Sequence, residues 1–367
     1  MPSRSDNPLR RSIGLMTGTS MDGVDAAMIE TDGLSAVRPV ASCSMTYDAA
    51  FSAALRSIQG ANARAHPAFA EIERGLTDHH AALVLDLIAS QGMNAGDIDV
   101  VGFHGQTVFH DPAKGITDQI GDASRLASRC GIPVVADFRR NDVQSGGQGA
   151  PFAPLFHAAM ASTLERPLAV LNLGGVGNVT WLGVGEADIL AFDTGPANAL
   201  IDDWVRRHTG ADFDAGGALA LSGTIVEEIV EGWMANPYFP KRPPKSLDRN
   251  NFDVREVDRL SPADGAASLM AFTVRSVAMA LDHLPVRPLR WLITGGGRHN
   301  LALMAALADA LKVPVDPVET VGWDGDALEA QAFAYLAVRS LDGLPLSLPS
   351  TTGVPYPATG GRLHAPR

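Results

Sequence analysis

The sequence predicts an α/β protein of two domains, each built on the same repeated unit. Its 367 residues exceed one ordinary core of ~100–200 residues. Twice a short apolar run enters a glycine-rich turn and returns as a second apolar run, at 13–30 and again at 167–182. Each time a third strand follows, then alternating helical and strand patterns, which signals a duplicated α/β fold rather than a short-period repeat.

Apolar residues make up 46% of the chain and charged residues 19%, a globular composition. The net charge of -12 argues against a nucleic-acid partner. An anionic small substrate would need local Arg, Lys, backbone N–H groups or a metal to offset that field. Cys43 and Cys130 form no C-x-x-C and no zinc spacing, which fits a reducing cytoplasm and excludes a disulfide framework. The polar start leads straight into a short apolar run, without a signal-peptide core. The best apolar run, 81–89, contains Asp86 and falls short of the ~18 residues of a membrane helix. A soluble cytoplasmic protein is expected.

In chain order, 13–30 reads as strand, turn, strand, and 42–47 as the third strand of an antiparallel meander. Apolar spacing predicts helices over 49–59 and 68–91, the second with Ile72, Leu76, Leu83 and Leu87 on one face and a stop at Gly92. A strand at 100–103, a helix at 123–129 ended by Gly131 and a strand at 133–136 complete a βββαβαβ unit. The run 145–149, with Pro151 and Pro154 beyond it, marks a boundary or a functional loop. The pattern then restarts with strands at 167–173, 179–182 and 189–192, followed by a helix over 197–208 with Pro196 near its start, where a missing N–H is tolerated. Pro, Lys, Arg and Asn between 236 and 252 read as an exposed excursion. A helix over 266–284, with Met270, Val274, Val277 and Leu281 on one face, leads to a strand at 290–294, a turn at 295–300 and a helix at 301–311. The last helix covers 327–341, and the tail 345–367, rich in Pro, Gly and Thr, reads as loose. The domains are expected at 1–138, with a C-terminal return at 338–367, and at 139–337.

Three glycine turns stand out. In 17–25, Gly18 and Gly23 let backbone N–H groups approach an anion, and Thr17, Thr19 and Ser20 add hydroxyl donors. Asp22 and Asp25 are placed to hold water or a metal ion. No Gly-Lys-Ser/Thr end and no following helix pattern are present, so this is neither a P-loop nor the G-x-G-x-x-G fingerprint. The turn at 174–178 is a second hairpin turn, and 295–300 feeds a strand into a helix, where backbone can pass close to a flat base or a sugar. Taken singly, each is an ordinary turn. Asp193, at a strand end before Thr-Gly-Pro, is either a directed carboxylate or the cap of the helix near Pro196. His104 and Gln106 also follow a strand end, where α/β sheets place ligand contacts, with a buried structural histidine as the other account. Arg139 and Arg140 offer a guanidinium to a carboxylate, or a surface salt bridge.

Two hairpin turns followed by a strand-to-helix turn resemble the actin, Hsp70 and sugar-kinase fold. That likeness implies a duplicated, ribonuclease H-like pair of mixed five-stranded sheets around a central cleft, with two turns on the ATP phosphates and the third against adenosine. The wording is closer still. GLMTGTSMDGVD (14–25), GFHGQTVFHDP (102–112), ADFRRNDVQSGGQGAPFAP (136–154), LNLGGVGNVT (171–180), FDTGPAN (192–198), TGGGRHN (294–300), DALEAQAFAYLA (326–337) and TGVP (352–355) together resemble the anhydro-N-acetylmuramic acid kinase family. The resemblance implies ATP and Mg²⁺, the cell-wall recycling sugar 1,6-anhydro-N-acetylmuramic acid as substrate, N-acetylmuramic acid 6-phosphate as product, and a homodimer. A kinase of another small sugar or carboxylate in the same superfamily is the alternative.

The same resemblance implies roles residue by residue. Asp193 matches the family's catalytic aspartate, the base that would deliver water to the anomeric carbon, and Glu329 a second carboxylate near sugar or water. Gly18, Thr19, Ser20 and Gly23 would meet the β- and γ-phosphates, with Asp22 and Asp25 on Mg²⁺ through water. Gly174, Gly175 and Asn178 would form the opposing grip, and Gly295, Gly296, Gly297 and Asn300 the adenosine side. His104, Gln106, Arg139, Gly147 and Gln148 would contact the sugar, Arg139 through the lactyl carboxylate. Two departures stand out: Ala197 replaces a usual glycine beside the catalytic turn, and PPKSLDRNNF (243–252) departs from the family's PPKS-Thr-Gly-Arg-Glu at Leu247 and Asp248.

Overall fold

A computed structural model describes residues 7–18, 21–185, 187–247 and 252–367. The chain divides into two units, Met1–Thr163 with Ala327–Arg367, and Leu164–Asp326.

The first unit is built on a meander of β1 (Arg10–Met16), β2 (Gly23–Thr31) and β3 (Val37–Thr46), in which Met16 faces Asp25 beside the first glycine turn. β4 (Val100–Phe103) pairs parallel with β1. β5 (Gln106–Asp111) and β6 (Ile116–Ile120) then form a separate antiparallel hairpin that the apolar pattern did not signal. β7 (Val134–Ala136) returns to the sheet, parallel to β4. The helix Phe69–Ser90 buries Ile72, Leu76, Leu83 and Leu87, as its spacing predicts. Together with Ile13, Leu15, Met28, Val101, Phe103 and Leu126 these form the core. The helix Ala123–Cys130 starts where the Asp122 side chain accepts from Arg125 N–H, and stops at Gly131 with φ 70°.

A further helix, Leu328–Leu341, belongs to this unit because it lies directly on the sheet. A Cβ on Gly14 would sit 1.8 Å from the Ala330 carbonyl oxygen, and one on Gly102 2.2 Å from that of Phe333. Glycine in β1 and β4 therefore lets a helix backbone cross strand backbone, and Ser12 Oγ donates to Ala334 O across the contact. The division consequently differs from the boundary read from the sequence. Residues 139–163 and 327–337 pack with the first unit instead of the second.

The tail is ordered, contrary to its composition. Leu346, Thr352 and Val354 are buried, Arg339 Nε donates to Pro345 O and Ser340 Oγ to Gly360 O. The terminal strand Arg362–His364 pairs antiparallel with β7, so this sheet has six strands where five were expected. Hydrogen bonds to distant residues, invisible to composition, fix the segment.

The second unit repeats the topology. β8 (Leu168–Leu173), β9 (Val176–Leu182) and β10 (Ile189–Pro196) form the meander, and β11 (Trp291–Thr294) and β12 (Val315–Pro317) extend it in parallel, in the order β10-β9-β8-β11-β12. The helix Pro262–Ala280 starts four residues before its expected limit, since Ser261 accepts from Asp264 N–H and Pro262 needs no partner. Leu171, Phe192, Val277, Trp291 and Leu307 lie in one core cluster, and Trp204, Trp233, Phe239 and Phe272 in another. The excursion read at 236–252 is exposed at 240–242, but Tyr238 and Phe239 anchor it in that second cluster and Lys245 is buried; 248–251 lie outside the described residues. Among the described residues no helix is long and apolar enough to cross a membrane.

Candidate active site

The first glycine turn is held from inside the unit. Thr17 Oγ1 donates to Gln106 Oε1 at 2.9 Å, and Gln106 Nε2 donates to Gly18 O at 3.3 Å and to Thr107 O at 3.2 Å. Gln106, expected on the sugar, thus braces the turn with both ends of its amide. Gly23 is needed for close approach, since its Cβ would lie 2.6 Å from Met45 O. Thr19 and Ser20 lie outside the described residues, as does Asp248. Asp22 is exposed, while Asp25 accepts from Ser44 Oγ on β3 at 2.6 Å. Burial pushes the nearby Tyr47 phenol up, and the Asp25 and Asp22 carboxylates push it further, which places both charges beside this turn. Among the described residues no three His, Cys, Asp or Glu side chains gather around a metal position. An ion here would be held by one or two carboxylates, water and phosphate, as magnesium commonly is.

The second and third turns adjoin one another in the second unit. The helix Asn198–Thr209 occupies the carbonyls of the 174–175 turn: Asn198 N–H donates to Gly174 O, Ala199 N–H to Gly175 O, and Asn198 Nδ2 to Leu173 O. Gly295, at φ 76°, closes against the same place, since a Cβ there would lie 2.3 Å from Asn172 Oδ1 and 2.7 Å from Leu173 O. Gly296 is exposed and Gly297 buried. Asn300 accepts from Leu303 N–H as the cap of the helix Leu301–Leu311, so its Oδ1 serves the fold. Sequence reasoning passed over Arg298. It is 6% exposed and bridges Glu319, Asp326 and the Gly295 carbonyl, which fixes the third turn.

Asp193 stands opposite Asn178 in the β9–β10 register, next to a bulge that ends at Gly195. It does not cap the following helix, whose N-cap is Ala197 and has no side-chain cap. Three of its atoms are held by one segment. Its N–H donates to Lys245 O at 3.0 Å, its carbonyl accepts from the Tyr238 hydroxyl, and its Oδ2 accepts from Leu247 N–H at 2.7 Å. Burial and the Asp193 charge push the Tyr238 phenol well up, so it stays a neutral donor. Leu247 keeps its role because the bond comes from backbone, whatever the side chain. The Ala197 methyl is fully buried in the core.

In the first unit His104 and Arg139 meet. Arg139 Nε donates to His104 Nε2 at 2.8 Å, which leaves His104 Nδ1–H to donate to Gly105 O at 2.6 Å. Burial first, then the Arg139 charge, holds His104 well below its usual pKa and therefore neutral. Arg139 also donates to Gly149 O at 2.6 Å and lies near the Phe152 and Phe333 rings. The 146–149 loop is itself organised by Asp142, which sequence reasoning also missed. This carboxylate accepts from Gly149 N–H and from the Ser347 and Thr352 hydroxyls. A Cβ on Gly147 would lie 2.2 Å from Asp142 Oδ1. Gln148 N–H donates to Thr352 O, and His110 Nε2 to Gln148 O. The usable signal for this tie was the TGVP segment. For Lys245 it was the PPKS segment. Glu329 is exposed on the first turn of Leu328–Leu341.

A family model described as anhydro-N-acetylmuramic acid kinase matches residues 10–365. Proteins of that name are similar along nearly the whole chain. That of Rhizorhabdus wittichii is 51% identical over 97% of this chain and 99% of its own length. That of Rhodospirillum rubrum is 54% identical over 95% and 93%, and that of Acidiphilium cryptum 53% identical over 97% and 98%. Among solved structures, the activator of the 2-hydroxyisocaproyl-CoA dehydratase from Clostridium difficile aligns over 90% of this chain and 96% of its own, at 12% identity and a TM-score of 0.45.

Proposed function

The chain belongs to the anhydro-N-acetylmuramic acid kinase family, and from that premise we propose that Asp193 is the base of its reaction. The enzyme uses ATP to phosphorylate O6 of 1,6-anhydro-N-acetylmuramic acid as the anhydro bridge is hydrolysed. Asp193 takes a proton from water, and the water oxygen bonds to C1. The C1–O6 bond breaks, O6 bonds to the γ-phosphorus, and the bond from that phosphorus to ADP breaks. The proton passes from Asp193 to solvent. The observation that carries this reading is the carboxylate of Asp193, buried to 8% exposure and aimed by the Leu247 N–H beside the second glycine turn.

The remaining roles extend the same reading. Gly18 and Gly23 in the first unit, with Thr19 and Ser20, and Gly174, Gly175 and Asn178 in the second, would bind phosphate oxygens through backbone and side-chain donors. Gly295, Gly296 and Gly297 suit adenosine by their close backbone. Asp22 would hold Mg²⁺ through water, and Mg²⁺ there would offset phosphate charge. Asp25 braces the hairpin through Ser44. Arg139, steadied by His104 and Gly149, would meet the lactyl carboxylate, with Gly147 and Gln148 presenting backbone to the sugar. Glu329 would act beside the sugar from its helix start. A cytoplasmic homodimer is part of the same reading, and sedimentation as a monomer at micromolar concentration would count against the dimer.

The test uses Asp193→Asn in ¹⁸O-labelled water. The wild type should place label at C1 of the product, while the variant should bind ATP and sugar and form no product. Wild-type turnover by Asp193→Asn would remove the base assignment, and label absent from C1 would favour a simple hydroxyl kinase.

A further inference from the structure

Lys245 is 7% exposed, and burying an ammonium is costly unless its donors are matched. Its Nζ donates to Phe239 O at 2.8 Å and to Tyr238 O at 3.3 Å, and lies 3.2 Å from His283 Nε2, which itself donates to Phe239 O at 2.8 Å. The Tyr238 and Phe192 rings flank it at 4.5 and 5.6 Å. Among the described residues no carboxylate forms an ion pair with it. Among the described residues its partners are therefore backbone carbonyls and aromatic rings, and a methionine in its place would make none of those hydrogen bonds.

Those carbonyls belong to the segment that grips Asp193. Lys245 ties its own end of the segment to residues 238–239, and the ring of Tyr238 lies against the ammonium while its hydroxyl reaches Asp193 O. The Lys245 carbonyl accepts from Asp193 N–H, and two residues on, Leu247 N–H meets the carboxylate. We propose that Lys245 is the positioning residue for Asp193, closing the 238–247 segment so that the Leu247 N–H orients the carboxylate toward water. This rests on the reading of Asp193 as the base. Burial, and then the Lys241 charge, pulls the ammonium down to about 8, so it remains mostly protonated and keeps its donors at neutral pH.

Lys245→Met tests the assignment. Its kcat should fall about 10²-fold, as misplacement of a catalytic group by about 1 Å does, while KM for ATP and for the sugar changes less than about twofold. The acid limb of the kcat–pH profile should also move to higher pH, because a carboxylate that loses a donated N–H is a weaker acid. A role confined to folding would lower the melting temperature and leave that limb in place. Should Lys245→Met not fold, Lys245→Gln, which still donates to the same carbonyls, should show a smaller kcat loss and a smaller shift of the limb. Wild-type kcat and an unmoved limb in the variant that folds, with Asp193→Asn inactive, would overturn the positioning role and leave the base standing. Wild-type turnover by Asp193→Asn would overturn both.

Discussion

Asp142 is 1% exposed, and its hydrogen-bond donors come from the 146–149 loop and from the ordered tail. Asp142→Ala strands the Gly149 N–H and the Ser347 and Thr352 hydroxyls, and unmatched buried donors cost about 1–3 kcal/mol each. The variant should therefore lose about 3–5 kcal/mol in urea unfolding, and Asp142→Asn about half of that; a wild-type midpoint for Asp142→Ala would remove its role as a hub. Arg139 gives a second prediction at this scale. Its fork serves His104 and Gly149 O at once, which a lysine cannot reproduce. Arg139→Lys should raise KM for the sugar about 10-fold or more, the worth of a charged hydrogen bond, with KM for ATP unchanged; steady-state kinetics in both substrates decide it. Arg139 was legible because it lies in a long motif. Asp142 lies in the same motif and was not, since its partners are 205 and 210 residues away and no local pattern points to them.

The helix Leu328–Leu341 shows what an element's own sequence does and does not reveal. Its alanines and spacing made the helix evident, while only the family resemblance made its N-terminal Glu329 a candidate. Which sheet it would cover was not evident, because small residues suit any close contact. The answer lies in Gly14 and Gly102, whose hydrogens face its backbone. Gly14→Ala should cost about 1–3 kcal/mol or more by overpacking, read as a lowered urea midpoint, and an unchanged midpoint would show that the helix can shift at no cost. The 238–247 segment reverses the lesson. Composition made it an exposed excursion, whereas two aromatic rings seat this loop in the core and a buried lysine ties it together. Helix limits were read to within a few residues, except where a cap such as Ser261 started one early.

Over the whole molecule, buried histidines oppose folding in acid. Burial holds His80 down to about 4 and His157 to about 3, and His104 well below 6.5, all in the first unit. An unfolded chain takes up these protons near pH 6.5 while the folded one does not. Stability is thus full above pH 6.5 and falls below it by about 1.4 kcal/mol per pH unit per histidine, until each folded pKa is reached. Urea unfolding with hydrogen exchange at pH 7 and pH 5 should show the loss in residues 7–163 first, and equal loss in 164–326 would contradict it. The duplication was legible in the order of the glycine turns; the sixth strand was not, because Arg362–His364 has no alternating pattern and earns its place by pairing with β7. That strand has a consequence for synthesis. The ribosome makes Met1–Thr163 first, yet the helix and edge strand that complete this unit emerge last. The contiguous Leu164–Asp326 can finish folding while its elder neighbour waits, so nascent chains arrested with residue 326 exposed should protect the second unit from protease and leave the first open to cleavage.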